Sequence, residues 1–220
     1  MKAKHLTPRL EGDDVFCGGF VRSGVRVFLL GFSLASAPAM AFAQWQAIEE
    51  VRTYPVAGSS GSELYRSIGE NGPLVGGAQA RVIAHTTFKL TWTRKYEPQN
   101  NACVLVSAKP KLVIIYTLPK PSAPLVAPVK DSWDAFLDGV RKHEKVHGET
   151  IVDMVRQIEA MSVGLSAPDD PDCRKIRVDL TKHLGELSAR QRQLGRDFDR
   201  TEMSDGGNIR ALILKLVNGP

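Results

Sequence analysis

Hydrophobic residues recur along this chain in two rhythms. Over residues 81–96, Ala84, Thr86, Phe88, Leu90 and Trp92 alternate with Ile83, His85, Thr87, Lys89 and Thr91, a period of two that predicts a half-buried strand. A first strand is expected over residues 46–56, then a Gly58-Ser59-Ser60-Gly61 turn. A short helix follows through Leu64, Tyr65 and Ile68, stopped by Gly69 and Asn71-Gly72-Pro73. After turn chemistry at residues 97–101, residues 103–108 and 111–118 read as strand segments interrupted at Pro110, the mark of a bulge or a sheet edge. A proline at an edge makes that strand a candidate for pairing with an extended peptide.

The second half changes rhythm. From an N-cap near Asp131-Ser132 to about residue 163, Trp133, Phe136, Val140, Ile151, Met154, Ile158 and Met161 recur at spacings of three and four. Residues 143 and 147 fill the gap in that stripe and are expected to point towards the core. A second helical pattern over residues 172–203 places Ile176, Leu180, Leu184, Leu187, Leu194 and Phe198 on one face, with Gly195 a possible kink. A Gly206-Gly207 break precedes a last apolar segment, 209–217. Residues 119–128, with four prolines, read as a stiff extended linker between the halves. The expected fold is therefore α+β: a small antiparallel sheet from the first half packed with two long helices from the second.

Residues 1–43 stand apart. Arg22 and Arg26 stand at the head of an apolar run over residues 25–40, and Ala41-Phe42-Ala43 is the small-x-small pattern of a signal-peptidase site. The run is short of the roughly 20 residues a spanning helix needs, so a signal peptide cut near Ala43 is expected. Residues 1–21 make a long preceding region with Glu11, Asp13 and Asp14, as if translation began further downstream. What remains, residues 44–220, reads as one domain with strand-rich (44–118), linker (119–128) and helical (129–220) parts, exported to the periplasm or medium and with no membrane span.

Charge and cysteines refine this. The leader holds five of the 29 Lys/Arg and three of the 24 Asp/Glu, so the mature chain is only mildly basic. With no basic cluster beyond Arg94-Lys95 and Arg141-Lys142, nucleic acid is excluded as a partner. Cys17 lies in the leader; Cys103 and Cys173 remain, an even pair expected to form one disulfide joining the halves in an oxidising compartment.

The chemistry sits at residues 143–149, HEKVHGE. Histidines at i and i+4 share one helix face, so both imidazoles can reach one Zn2+ ion. Glu144 beside them has the place of the general base in the zinc-hydrolase motif His-Glu-x-x-His, where zinc acidifies the attacking water and polarises the scissile carbonyl. His85 falls on the wetter strand face and is left out of the metal set. A third ligand must come from elsewhere. Glu149 lies too close to turn back and Glu159 three turns on. Glu202 continues the inward stripe of Leu194 and Phe198, with Asp199 and Asp205 three residues to either side. A simple helical hairpin turning near residue 167 would instead oppose His147 to Glu186 and Leu187, leaving residue 202 about 20 Å further along.

Four segments, AHTTFKLTW at 84–92, YTLPKP at 116–121, HEKVHGE at 143–149 and FDRTEMSDGG at 198–207, resemble a bacterial family of uncharacterised exported proteins described as predicted secreted zinc-dependent proteases. The resemblance spans nearly all of the chain after the leader. It implies a zincin-like active helix, zinc as cofactor and a peptide or protein substrate. Members carry an aromatic-Asp pair near the C-terminus, matched by Phe198-Asp199. Where related versions place a histidine-glycine, Ser204-Asp205-Gly206 stands here, so an acidic ligand is implied: Asp199, Glu202 or Asp205, over Glu186. The expected function is a zinc metallopeptidase with His143, His147 and Asp199 or Glu202 on the metal and Glu144 as catalytic base. The other readings are a binding or scaffold protein with a structural metal and a zinc amidase acting on cell-wall peptide. Substrate and oligomeric state are not set by the sequence.

Overall fold

The computed structural model describes residues 45–76 and 81–219; the expected signal peptide lies outside them. Strand β1 (Ile48–Val56) leads to helix α1 (Gly61–Asn71), then β2 (His85–Gln99) and β3 (Ala102–Pro121) form a long hairpin. Helix α2 (Val129–Ser162), the two-residue β4 (Ser166–Ala167), α3 (Lys175–Met203) and α4 (Asn208–Asn218) follow. The mixed α+β class is the one the two rhythms predict. None of the described helices is long and apolar enough to cross a membrane.

The sheet order is β1-β3-β2, with β4 pairing to β3. The β2–β3 hairpin turns on Asn100 and Asn101, both at positive φ, the backbone that a two-residue loop needs to match strand twist. One pairing corrects the all-antiparallel expectation. Strand β1 runs parallel to β3, from Ile48 opposite Val113 to Val56 opposite Pro121. Helix α1 and the segment after it separate β1 from its chain neighbour β2, so β1 takes the other side of β3 and its direction.

Pro110 does not interrupt β3. It lies opposite Trp92 in a 20-residue strand, on the stretch not reached by β1, whose pairing begins at Val113. With no described partner strand on that side, the missing N–H costs little. The irregularity falls instead opposite Lys95/Tyr96 of β2, where Val106 is the extra residue on β3. The proline-rich linker is also shorter than expected, because residues 119–121 pair with Tyr54, Pro55 and Val56 as the end of β3.

The main core lies between the sheet and α2, with α1 and α4 closing it. Leu112, Ile114 and Leu118 of β3 meet Phe136, Val140 and Ile151 of α2, all buried. α2 begins at Val129, with no side-chain cap from Asp131 or Ser132. A second cluster joins Cys103 and Leu105 to Ile176 and Leu180. There Cys103 and Cys173 form the expected disulfide across 70 residues of chain, with Cα atoms 5.2 Å apart.

The connection from α2 to α3 is not a tight hairpin. It is laid along β3: Leu105 N donates to Leu165 O, Gly164 N donates to Leu105 O, and β4 pairs with Cys103 and Val104. Buried Asp170 then accepts from the backbone N–H groups of Arg174, Lys175 and Ile176 at 2.7–3.1 Å. Burial opposes its charge, but these three bonds hold its carboxyl below the usual carboxylate range. Asp170 thereby satisfies the open amides of the helix start, a role its place in a loop-like segment had not suggested.

Candidate metal centre

Helix α2 presents HEKVHGE to a cavity of about 630 Å³ whose walls come from α1, the segment leading into β2, the start of β2, α2, α3 and α4. The stripe of α2 closes differently from the expectation. Its buried positions run Val140, Glu144, Gly148, Ile151, so Glu144, not the histidines, takes the core-facing line. Gly148 allows this, because a Cβ there would lie 2.2 Å from the Tyr116 hydroxyl oxygen. His143 and His147 flank the stripe on the cavity side, their side chains only 11% and 16% exposed.

Asp199 of α3 meets them. Its Oδ1 lies 3.1 Å from His143 Nε2 and 2.9 Å from His147 Nε2, and the two ring nitrogens are 3.1 Å apart. These three are the one group of potential metal donors gathered among the described residues. Phe198 fixes the rings, stacked on His143 with centroids 4.7 Å apart and edge-on to His147. α3 passes close to His147 at buried Gly195, whose Cβ position would be 3.5 Å from Nδ1. The helix runs unbroken through Gly195. Leu194, expected inward, is half exposed because its neighbour Gly195 takes the contact.

The hairpin register thus fails, for a measurable reason. Asp199 lies 24 residues into α3, whereas His147 lies 15 before the end of α2. The nine-residue difference is about 14 Å of helix, the distance by which the connection along β3 carries the chain past the end of α2 before α3 turns back. Glu186 is left pairing with His183 on its own helix. Asp205 pairs with Arg210, and Glu159 accepts from the Trp45 indole at 2.7 Å. Glu202, the other expected ligand, stands behind His143: its Oε2 is 3.8 Å from Nδ1, the nitrogen facing away from Asp199. That Nδ1 is buried without a hydrogen-bond partner.

The electrostatics are those of a charged pair. Burial works against Asp199 ionising, but the hydrogen bonds and charges of His143 and His147 hold it well below the usual carboxylate range. Burial likewise opposes a charge on His147, yet Asp199 and Glu144 raise its pKa. Glu144 is held from the sheet, where Thr86 Oγ1 donates to its Oε2 at 2.5 Å. Thr86 was legible only as one polar residue in an otherwise apolar alternating face, which is the signal that marks it. His85 lines the cavity but lies outside the donor cluster.

The donor set fits a small divalent ion. Tetrahedral coordination at 2.0–2.1 Å separates donors by about 3.3 Å, so entry of an ion needs each pair to open by only a few tenths of an ångström. Two imidazoles and a carboxylate suit zinc and other first-row metals. Fold and site together define an α+β protein with a two-histidine, one-carboxylate cluster able to hold a metal at the wall of a cavity. The chain belongs to DUF922, a bacterial protein family of unknown function, whose model matches residues 51–207. No curated protein and no solved structure matches it. All four segments that carried the resemblance fall within the matched range, and the family is uncharacterised, as that resemblance has it.

Proposed function

We propose that the protein is an exported zinc-dependent metallopeptidase. The observation that carries this reading is the convergence of His143, His147 and Asp199 at one point of the cavity, with the Glu144 carboxylate fixed beside it on the same helix. Zinc held there would supply an acidified water and polarise the scissile carbonyl. Thr86 occupies Oε2 of Glu144, which leaves Oε1 to take a proton from the attacking water and return it to the leaving amine. Phe198, stacked on His143 and edge-on to His147, packs against both imidazoles that would hold the ion. A closed structural site would call for a fourth protein donor; the cluster gathers three and opens on a cavity, which supports catalysis over a structural staple.

Among the described residues β2 pairs only with β3, so its outer edge has no described partner, and its start at His85 and Thr86 lines the cavity. This edge, in place of the stretch near Pro110, is where an extended peptide would add a strand. The test is metal content and peptide hydrolysis in wild type, His143→Ala and Glu144→Gln. Zinc near one per chain in wild type and Glu144→Gln, with hydrolysis lost in Glu144→Gln, is the expected result. A wild type that takes up no stoichiometric metal would sink the proposal; stoichiometric iron would redirect it to other chemistry of the same donor set.

A further inference from the structure

The lining of the cavity carries a second chemical message. Arg192 and Arg196 of α3 both face it, on the same helix side as Asp199. Neither is in an ion pair among the described residues. Arg192 Nη1 donates to Ser188 Oγ at 2.7 Å and Arg196 Nη2 donates to Gln193 Oε1, both neutral acceptors on their own helix. The nearby Asp197 is hydrogen-bonded to Gln193 and Arg200 and meets Arg196 only through its longer-range charge. Arg81, also in the lining, donates to the carbonyl of Gly72 and likewise lacks a carboxylate partner among the described residues. The acidic groups of the lining are Glu144 and Asp199, both committed to the metal centre. The rest of the wall includes Val82, Ile83, Val140, Met203 and Ile209, all apolar. Among the described residues the cavity therefore joins an apolar wall to a rim of arginines that no carboxylate bridges.

We propose that this rim selects substrates bearing a carboxylate close to the scissile bond, next to an apolar side chain. The inference rests on the peptidase reading and names its substrate class. Position follows from helix geometry. Arg196 is three residues and Arg192 seven residues before Asp199, about 4.5 and 10 Å along the axis. An extended peptide advances about 3.3 Å per residue, so the favoured carboxylate falls one to three residues from the reacting carbonyl, on one side of it. An aspartate or glutamate side chain and a free C-terminus offer the same chemistry there.

The experiment separates these sources and does not require turnover. Zinc-loaded Glu144→Gln protein is titrated, by fluorescence anisotropy, into dye-labelled decapeptides with a central apolar pair. Asp, Asn or Lys stands two residues to either side, and a shorter set ends there in a free or amidated C-terminus. The acidic peptide is expected to bind roughly fivefold more tightly than the Asn peptide, the scale of partly exposed charge pairs, and the Lys peptide most weakly. The preference should vanish in Arg192→Gln/Arg196→Gln, persist in Arg192→Lys/Arg196→Lys, and collapse near 1 M salt, where the screening length is about 3 Å. Preference for the free C-terminus alone assigns the rim to the chain end and supports the proposal equally. Equal affinity for Asp, Asn and amidated peptides, or a preference unchanged by the double glutamine variant, overturns it. Failure of any peptide to bind overturns it together with the peptidase reading.

Discussion

Gly148→Ala is the sharpest test of how α2 is seated. A Cβ built at Gly148 falls 2.2 Å from the Tyr116 hydroxyl oxygen, 3.1 Å from Cζ and 3.3 Å from Cε1. Tyr116 is buried in the central strand, so its ring, the helix or the sheet must shift to relieve the conflict. Overpacking of this kind costs about 1–3 kcal/mol, offset by about 1 kcal/mol of helix propensity gained on replacing glycine. Gly185 in α3 supplies the control: nothing lies within 4 Å of its Cβ position, so Gly185→Ala keeps the propensity gain alone. The difference between the two substitutions isolates the clash at about 1–3 kcal/mol, or roughly 2–12 °C in melting temperature for a domain of this size. Thermal and urea unfolding of metal-free protein would measure it without ligand linkage. Tyr116→Phe removes the closest atom, so the double variant should recover most of the loss as a favourable coupling in the cycle. Gly148→Ala at least as stable as Gly185→Ala would refute the packing described for α2.

Asp199→Ala should abolish stoichiometric metal, while Asp205→Ala and Glu186→Ala keep it; chelator competition measures all three. On the zinc reading, Glu202 would close onto the unpartnered Nδ1 of His143, so Glu202→Ala should retain the site but bind metal roughly 10- to 100-fold more weakly. In metal-free protein the His147 contribution, from a raised pKa, is fully present below about pH 6.5 and fades as pH rises through the raised value. That of Asp199, whose pKa is lowered, is present above about pH 3.9 and is lost only as pH falls through its depressed value. The urea-midpoint gap between wild type and Asp199→Asn should therefore be widest between about pH 4 and 6.5 and shrink by pH 9; a gap that stays constant or grows would contradict the pairing. Replacing Cys103 and Cys173 with serine should cost about 4 kcal/mol for a loop of 70 residues, read from the shift in urea midpoint.

What the sequence could reveal of the site depended on how local each relation was. The pairing of His143 with His147 is fixed by one turn of helix, so spacing alone brings both imidazoles to one point. The choice of Glu144 over its neighbours as the core-facing residue is not local. It depends on the glycine at 148 letting α2 approach Tyr116, and on a hydroxyl at Thr86 to receive the carboxylate. The third donor was harder still, because it depends on the register between two helices. That register is set in the connection: a bridge to β3 at Ser166–Ala167, the Asp170 cap and the disulfide at Cys173 fix where α3 begins. Polar loop residues carry no periodic signal, so a reading from periodicity gave the connection the length of a simple turn. The same reasoning links the disulfide to the candidate metal centre. Since Cys173 anchors the start of α3 and Asp199 lies six to seven turns further on, loosening that anchor should weaken metal binding as well as the fold. Metal affinity of the Cys103→Ser/Cys173→Ser protein, measured where it remains folded, decides it: an unchanged affinity would mean that Phe198 and Gly195 hold the register without help from the connection.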